Sequence, residues 1–94
     1  MKVEPTQNLR VIIQFIREKV PKYSRYRLIA YGSENFHPVE SLSFRELAQR
    51  FESAGISQEC RPTPPERDLT DTIIIFSVDL DLTPTQLQIL GLGR

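Results

Sequence analysis

The longest apolar run of the chain, "TIIIFSV" from Thr72 to Val78, limits what the sequence can fold into more than any other stretch. Its β-branched and aromatic side chains lose rotamer freedom in a helix and pack well on a pleated surface, so it predicts a strand. With no polar residue between Ile73 and Phe76, the predicted strand is covered on both faces and sits in the middle of a sheet. The run is far shorter than the roughly 18 apolar residues a membrane span needs. The opening "MKVEPTQNLR" places Glu4 and Pro5 where a signal peptide would begin its apolar stretch. The single cysteine, Cys60, closes no internal disulfide. A cytoplasmic protein without membrane contact is therefore expected.

The other elements are marked by their punctuation. Leu9, Ile12, Ile13, Ile16 and Val20 recur at helical spacing behind Thr6 as a cap, and predict a helix over 6–20 that Pro21 stops. Val11 and Phe15 fall outside that stripe, so either two layers cover this helix or part of it is a contact surface. "RYRLIAY", Arg25 to Tyr31, alternates as a strand, with Tyr26, Leu28 and Ala30 on one face and Arg27, Ile29 and Tyr31 on the other. "SFRE" from Ser43 is a capping box, flanked by Leu42 and Leu47 as a hydrophobic staple. It opens a helix whose apolar face is Phe44, Leu47, Ala48 and Phe51, with Gly55 just past its end. "ISQEC" predicts a short edge strand forming a hairpin with the long apolar run across a proline-rich exposed loop, 62–71. "TPTQLQIL" predicts a short closing helix with Thr83 as cap, Pro84 in its first turn and Gln86 three residues on.

Together these elements predict one α+β domain over residues 1–94. Its expected form is a small three-stranded mixed sheet, four-stranded if the loop near Phe36 adds a short strand, with two main helices on one face and a short C-terminal helix. A chain of 94 residues buries only roughly 60 to 65% of its unfolded surface, enough for one modest core.

The formal net charge is zero, but it is divided. Residues 1–27 hold seven cations against two acids, and residues 28–94 hold five against ten. Arg17, Lys19, Lys22, Arg25 and Arg27 fall within eleven residues, opposed by Glu18 alone. Basic residues interleaved with tyrosines, as in "KYSRYR", are what RNA and single-strand surfaces use. Against this, the sequence pI is near 6.6, where nucleic-acid domains usually exceed about 9.

Catalytic and cofactor chemistry finds little to stand on. His37 and Cys60 are the only residues of their types, too few for a zinc site of nitrogen and sulfur ligands. Asp79 and Asp81 share a face if the strand continues through them, yet two carboxylates are too few for a cation cage. The four glycines form neither a P-loop nor a dinucleotide fingerprint. "RELAQRFESAGIS" resembles the first helix and turn of a helix-turn-helix motif, but the recognition helix would fall on "QECRPTPPERD", whose prolines forbid it.

The expectation is a small non-enzymatic module, without cofactor or metal, that acts through a protein partner or through self-association. Val11, Phe15, Arg17, Lys19, Lys22, Arg25 and Arg27 are its candidate contact residues. The alternative is RNA or single-stranded DNA binding through the basic-aromatic segment 17–27.

Overall fold

Leu9, Val11, Ile13 and Phe15 occupy every second position, and that period of two, rather than the helical one, decides the N-terminal element. In the computed structural model, which describes residues 4–17, 25–32, 36–65 and 71–92, this segment is a strand. The order is β1 (Gln7–Ile16), β2 (Arg25–Tyr31), β3 (Val39–Leu42), α1 (Phe44–Ser53), a 3-10 turn (Gln58–Cys60), β4 (Ile73–Leu82) and α2 (Pro84–Leu90). The helix predicted over 6–20 is therefore replaced by β1 over its described part, while 18–20 and Pro21 lie outside the described residues. Val11, Ile12, Ile13 and Ile16 are β-branched and favour the pleat, and the odd-numbered positions supply a complete buried row.

The sheet is four-stranded and antiparallel throughout, in the order β3-β2-β1-β4. It is not mixed, and the connection from β3 through α1 to β4 crosses from one edge of the sheet to the other. β1 lies between β2 and β4, pairing Ile13 with Leu28 on one side and Phe76 on the other. The long apolar run is thus an edge strand and not the middle of the sheet. "ISQEC" forms no strand and no hairpin with β4, since Gln58–Cys60 is a 3-10 turn. The additional short strand expected near Phe36 is β3, three residues further on, and it is the other edge. In the proline loop, Pro62 is buried, Thr63 and Pro64 are exposed, and 66–70 lie outside the described residues.

Side chains alternate across the sheet, so one face builds the core. Leu9, Val11, Ile13 and Phe15 of β1 join Leu28 and Ala30 of β2, Leu42 of β3 and Leu82 of β4. Leu47 and Phe51 of α1, Leu87 and Leu90 of α2, and the flanking Ala54, Ile56 and Leu92 close over them. Tyr26 packs edge-on between Phe15 and Phe44, with ring centroids 5.5 and 5.6 Å away.

Both helices start and stop in the same way. Ser43 Oγ accepts from the Glu46 N–H at 3.1 Å while Glu46 Oε1 accepts from the Ser43 N–H, and Thr83 and Gln86 repeat the exchange. These capping boxes are the ones the sequence predicts. At the far ends, Gly55 and Gly91 take left-handed backbone, φ 70° and 88°. That turn lets the Ile56 N–H reach the Phe51 carbonyl and the Leu92 N–H reach the Leu87 carbonyl, burying an apolar residue after each glycine. The helices also cap each other, because Arg50 Nη1 donates to the Leu90 carbonyl and Gln86 Nε2 to the Ala54 carbonyl, both at 3.0 Å.

Ser43→Ala and Thr83→Ala should each cost about 1 kcal/mol of stability, read as a lower urea midpoint at unchanged m-value. Burial pushes the Tyr26 phenol above its ordinary value of 10.0. A raised pKa in the fold means the unfolded chain loses that proton first, so this contribution is intact below pH 10 and disappears as pH rises above it. Wild-type stability should therefore fall more steeply above about pH 10 than that of Tyr26→Phe, in urea titrations at stepped pH.

Candidate functional site

The face of the sheet opposite the helices is built by the even positions of β1 and their partners. Reading across β2, β1 and β4, the rows are Tyr31, Arg10 and Asp79, then Ile29, Ile12 and Ser77, then Arg27, Gln14 and Ile74. Arg25 stands opposite Ile16 at the end of the ladder. Polar and apolar side chains mix here, as on a face that water reaches. Tyr31 and Ile74 are its most exposed apolar members, at 56% and 58%.

Charges on this face are tied across strands. Arg10 grips Asp79 with two bonds, Nε to Oδ1 at 2.6 Å and Nη2 to Oδ2 at 3.1 Å, and Nη1 also reaches Ser77 Oγ at 3.3 Å. Asn8 Nδ2 donates to Asp81 Oδ1 at 3.1 Å. Asp79 and Asp81 do share a face of one continuous strand, but each is engaged by β1. Arg27 Nη2 meets Glu40 of β3 at 2.8 Å and Nη1 donates to Gln14 Oε1, while its Nε is buried with no acceptor. Arg10–Asp79 and Arg27–Glu40 both join the basic first part of the chain to its acidic remainder. Folding brings these parts of the divided charge together.

The candidate contact residues separate accordingly. Val11 is fully buried and Phe15 is 9% exposed, both on the core face of β1, so neither belongs to a contact surface. A strand sends them inward along with Leu9 and Ile13, where the predicted helix set them apart. Arg25 and Arg27 lie on the open face, and Arg17 follows β1, its N–H donating to Thr72 Oγ1 at 3.0 Å. Lys19 and Lys22 lie outside the described residues. His37 is exposed in the loop before β3, and Cys60 is half-buried at the end of the 3-10 turn.

Two hollows stand out. One of about 340 Å3 lies against the helices, lined by Glu46, Gln49, Arg50, Ser53 and Ile89. A smaller one of about 80 Å3 is lined by Ile16, Arg25, Arg27, Glu40 and Ser41. Neither is lined by His37 or Cys60. Among the described residues no group of three or more His, Cys, Asp or Glu is placed to hold a metal ion. No helix among them is long and apolar enough to cross a membrane.

The feature that sequence reasoning missed is the β4 edge. Phe76, Val78 and Leu80 face the core side yet stay half-buried, whereas the β1 residues they pair with, Ile13, Val11 and Leu9, are fully buried. Ile73 and Ile74 are 38% and 58% exposed. The clue lay at the end of the apolar run and beyond it, where Ser77, Asp79 and Asp81 alternate with Val78, Leu80 and Leu82. That period marks a strand with one wet face, which a doubly covered strand would not carry.

Comparison with known protein families, curated proteins and solved structures returned no match to this chain. The functional reading rests on the geometry alone.

With both side chains of the Arg10–Asp79 pair about half exposed, solvent screening holds its worth down. A double-mutant cycle through Arg10→Gln and Asp79→Asn should return a coupling of at most about 1 kcal/mol, and less in about 0.5 M salt.

Proposed function

We propose that this chain is a non-enzymatic binding module that works through protein contact, and that the β4 side of the sheet makes that contact. The observation that carries the reading is where the exposed apolar groups lie. Of the four large hydrophobic residues most exposed among the described residues, Ile73, Ile74 and Tyr31 belong to the sheet, and the first two open its edge strand. Monomeric surfaces scatter such residues singly, whereas adjacent ones on an edge that offers free backbone groups suit an incoming polypeptide. The ties of Arg10 to Asp79 and Arg27 to Glu40 argue against nucleic acid as the ligand, because they reduce the positive potential a phosphate chain would meet.

Wild-type chain and Ile74→Lys, immobilised at equal density, should differ in the proteins they retain from a lysate. Retention of a discrete set of proteins by the wild type and its loss in Ile74→Lys is the expected result. Retention of nucleic acid alone, falling with salt and unchanged by Ile74→Lys, would overturn the reading in favour of binding through Arg17, Lys19, Lys22, Arg25 and Arg27.

A further inference from the structure

The two edges of the sheet are not equivalent. A strand at an edge presents a row of unpaired N–H and C=O groups, and proteins protect such rows with short strands, charges, prolines or kinks. β3 has this protection. It is four residues long, carries Glu40, holds Ser41 at φ 61° and breaks register with β2. β4 is ten residues long and contains no proline, glycine or cation. Its acids Asp79 and Asp81 belong to the open face and are held by Arg10 and Asn8. Its one irregularity, the register shift opposite Ile13 and Gln14, lies in its first half, so Phe76 to Leu82 runs regularly. No described strand pairs with its outer side.

We propose that β4 pairs antiparallel with β4 of a second copy, about a twofold axis normal to the sheet at Val78, giving one continuous eight-stranded sheet. This rests on the reading of the chain as a protein-contact module and names the chain itself as the partner. The axis keeps the faces in phase, so both helix layers lie on one side.

The side chains select that register. With Val78 opposite its own copy, Phe76 meets Leu80 of the second copy and Leu80 meets its Phe76. The half-buried core-side row thereby gains apolar neighbours along its length. On the open face, Asp79 meets Ser77 of the second copy, a hydroxyl that can donate to it. Moving the axis to Asp79 sets that carboxylate against itself, and moving it to Leu80 sets Asp79 against Asp81. Both place like charges directly opposite, which is destabilising. Moving it to Ser77 brings the register shift nearer the axis, setting Asp79 against Ile75, whereas the Val78 register meets the shift only at its ends, where Asp81 lies opposite Ile75. Assembly stops at two copies because both edges of the resulting sheet are the protected β3, so the contact closes without running on into a fibre.

The interface is small. With the axis at Val78 the paired part of β4 runs from Ile74 to Leu82, roughly 30 Å long on a sheet about 10 Å thick, so about 300 Å2 per copy and about 600 Å2 in all are covered, against about 1,200 Å2 for a stable complex. The pairing therefore depends on concentration.

Sedimentation equilibrium of the wild-type chain, loaded from about 10 μM to about 1 mM, should show the mass rise from monomer towards dimer and go no further. Ser77→Asp, an exposed position beside Arg10, sets two like-charge pairs across the axis and should lower the association constant about tenfold. Ser77→Lys sets two opposite-charge pairs there and should raise it about fivefold. Arg45→Gln, exposed in the first turn of α1 just past the β3 edge, should leave it unchanged. Circular dichroism checks that each variant is folded. A wild-type chain that stays monomeric throughout, or a dimer abolished by Arg45→Gln and indifferent to the sign of charge at 77, overturns the pairing. Neither outcome touches the retention of other proteins, which bears on the binding-module reading separately.

Discussion

Everything in this fold leans on β1. Like β2 it has hydrogen-bonded neighbours on both sides, but it alone joins β2 to β4, and its odd-numbered side chains form the row over which the helices close. Backbone pairing and apolar burial are supplied by the same ten residues, so losing the strand would separate β2 from β4 and uncover the core at once. Its even-numbered side chains are equally consequential, because Arg10 and Gln14 stand in the middle of the rows that hold the open face together.

The helices form a layer that braces itself. Each has its cap and third N–H groups satisfied by its own capping box, and each supplies a side chain to the other's last carbonyls through Arg50 and Gln86. Such mutual satisfaction leaves few orphan groups at helix ends that sit partly buried. The layer is narrower than the sheet, as the half-buried Phe76, Val78 and Leu80 show beside the covered row of β1. A one-layer cover over four strands leaves one flank short of apolar partners, and here it is the flank with the longer edge strand.

What the sequence disclosed and what it concealed follow from the range of the physics involved. Capping boxes and post-helix glycines are settled within four or five residues, so Ser43, Glu46, Thr83, Gln86, Gly55 and Gly91 behave as their local chemistry dictates. "RYRLIAY" alternates cleanly, and its boundaries and faces were legible for the same reason. The segment from Leu9 to Ile16 is apolar at both helical and strand spacings, so local periodicity cannot separate them, and pairing with strands distant in sequence makes the choice. The place of β4 in the sheet is likewise a matter of which strand lies beside it, which its own residues do not state. Val11 and Phe15 were drawn into a contact surface by that ambiguity, whereas Arg25 and Arg27, read from a clean strand, lie on the open face as expected.

The joints between strands and helices carry one more consequence. Leu42 ends β3 and Leu82 ends β4, both are buried, and in each case the very next residue is the helix cap. A connection of a single residue has no slack. Any sliding of β4 along its own axis must drag α2 with it, and α2 is tied to α1 through Gln86 and Arg50. Mechanically, the edge strand and the helix layer behave as one coupled linkage, so a load applied at the rim of the sheet is felt on its far side.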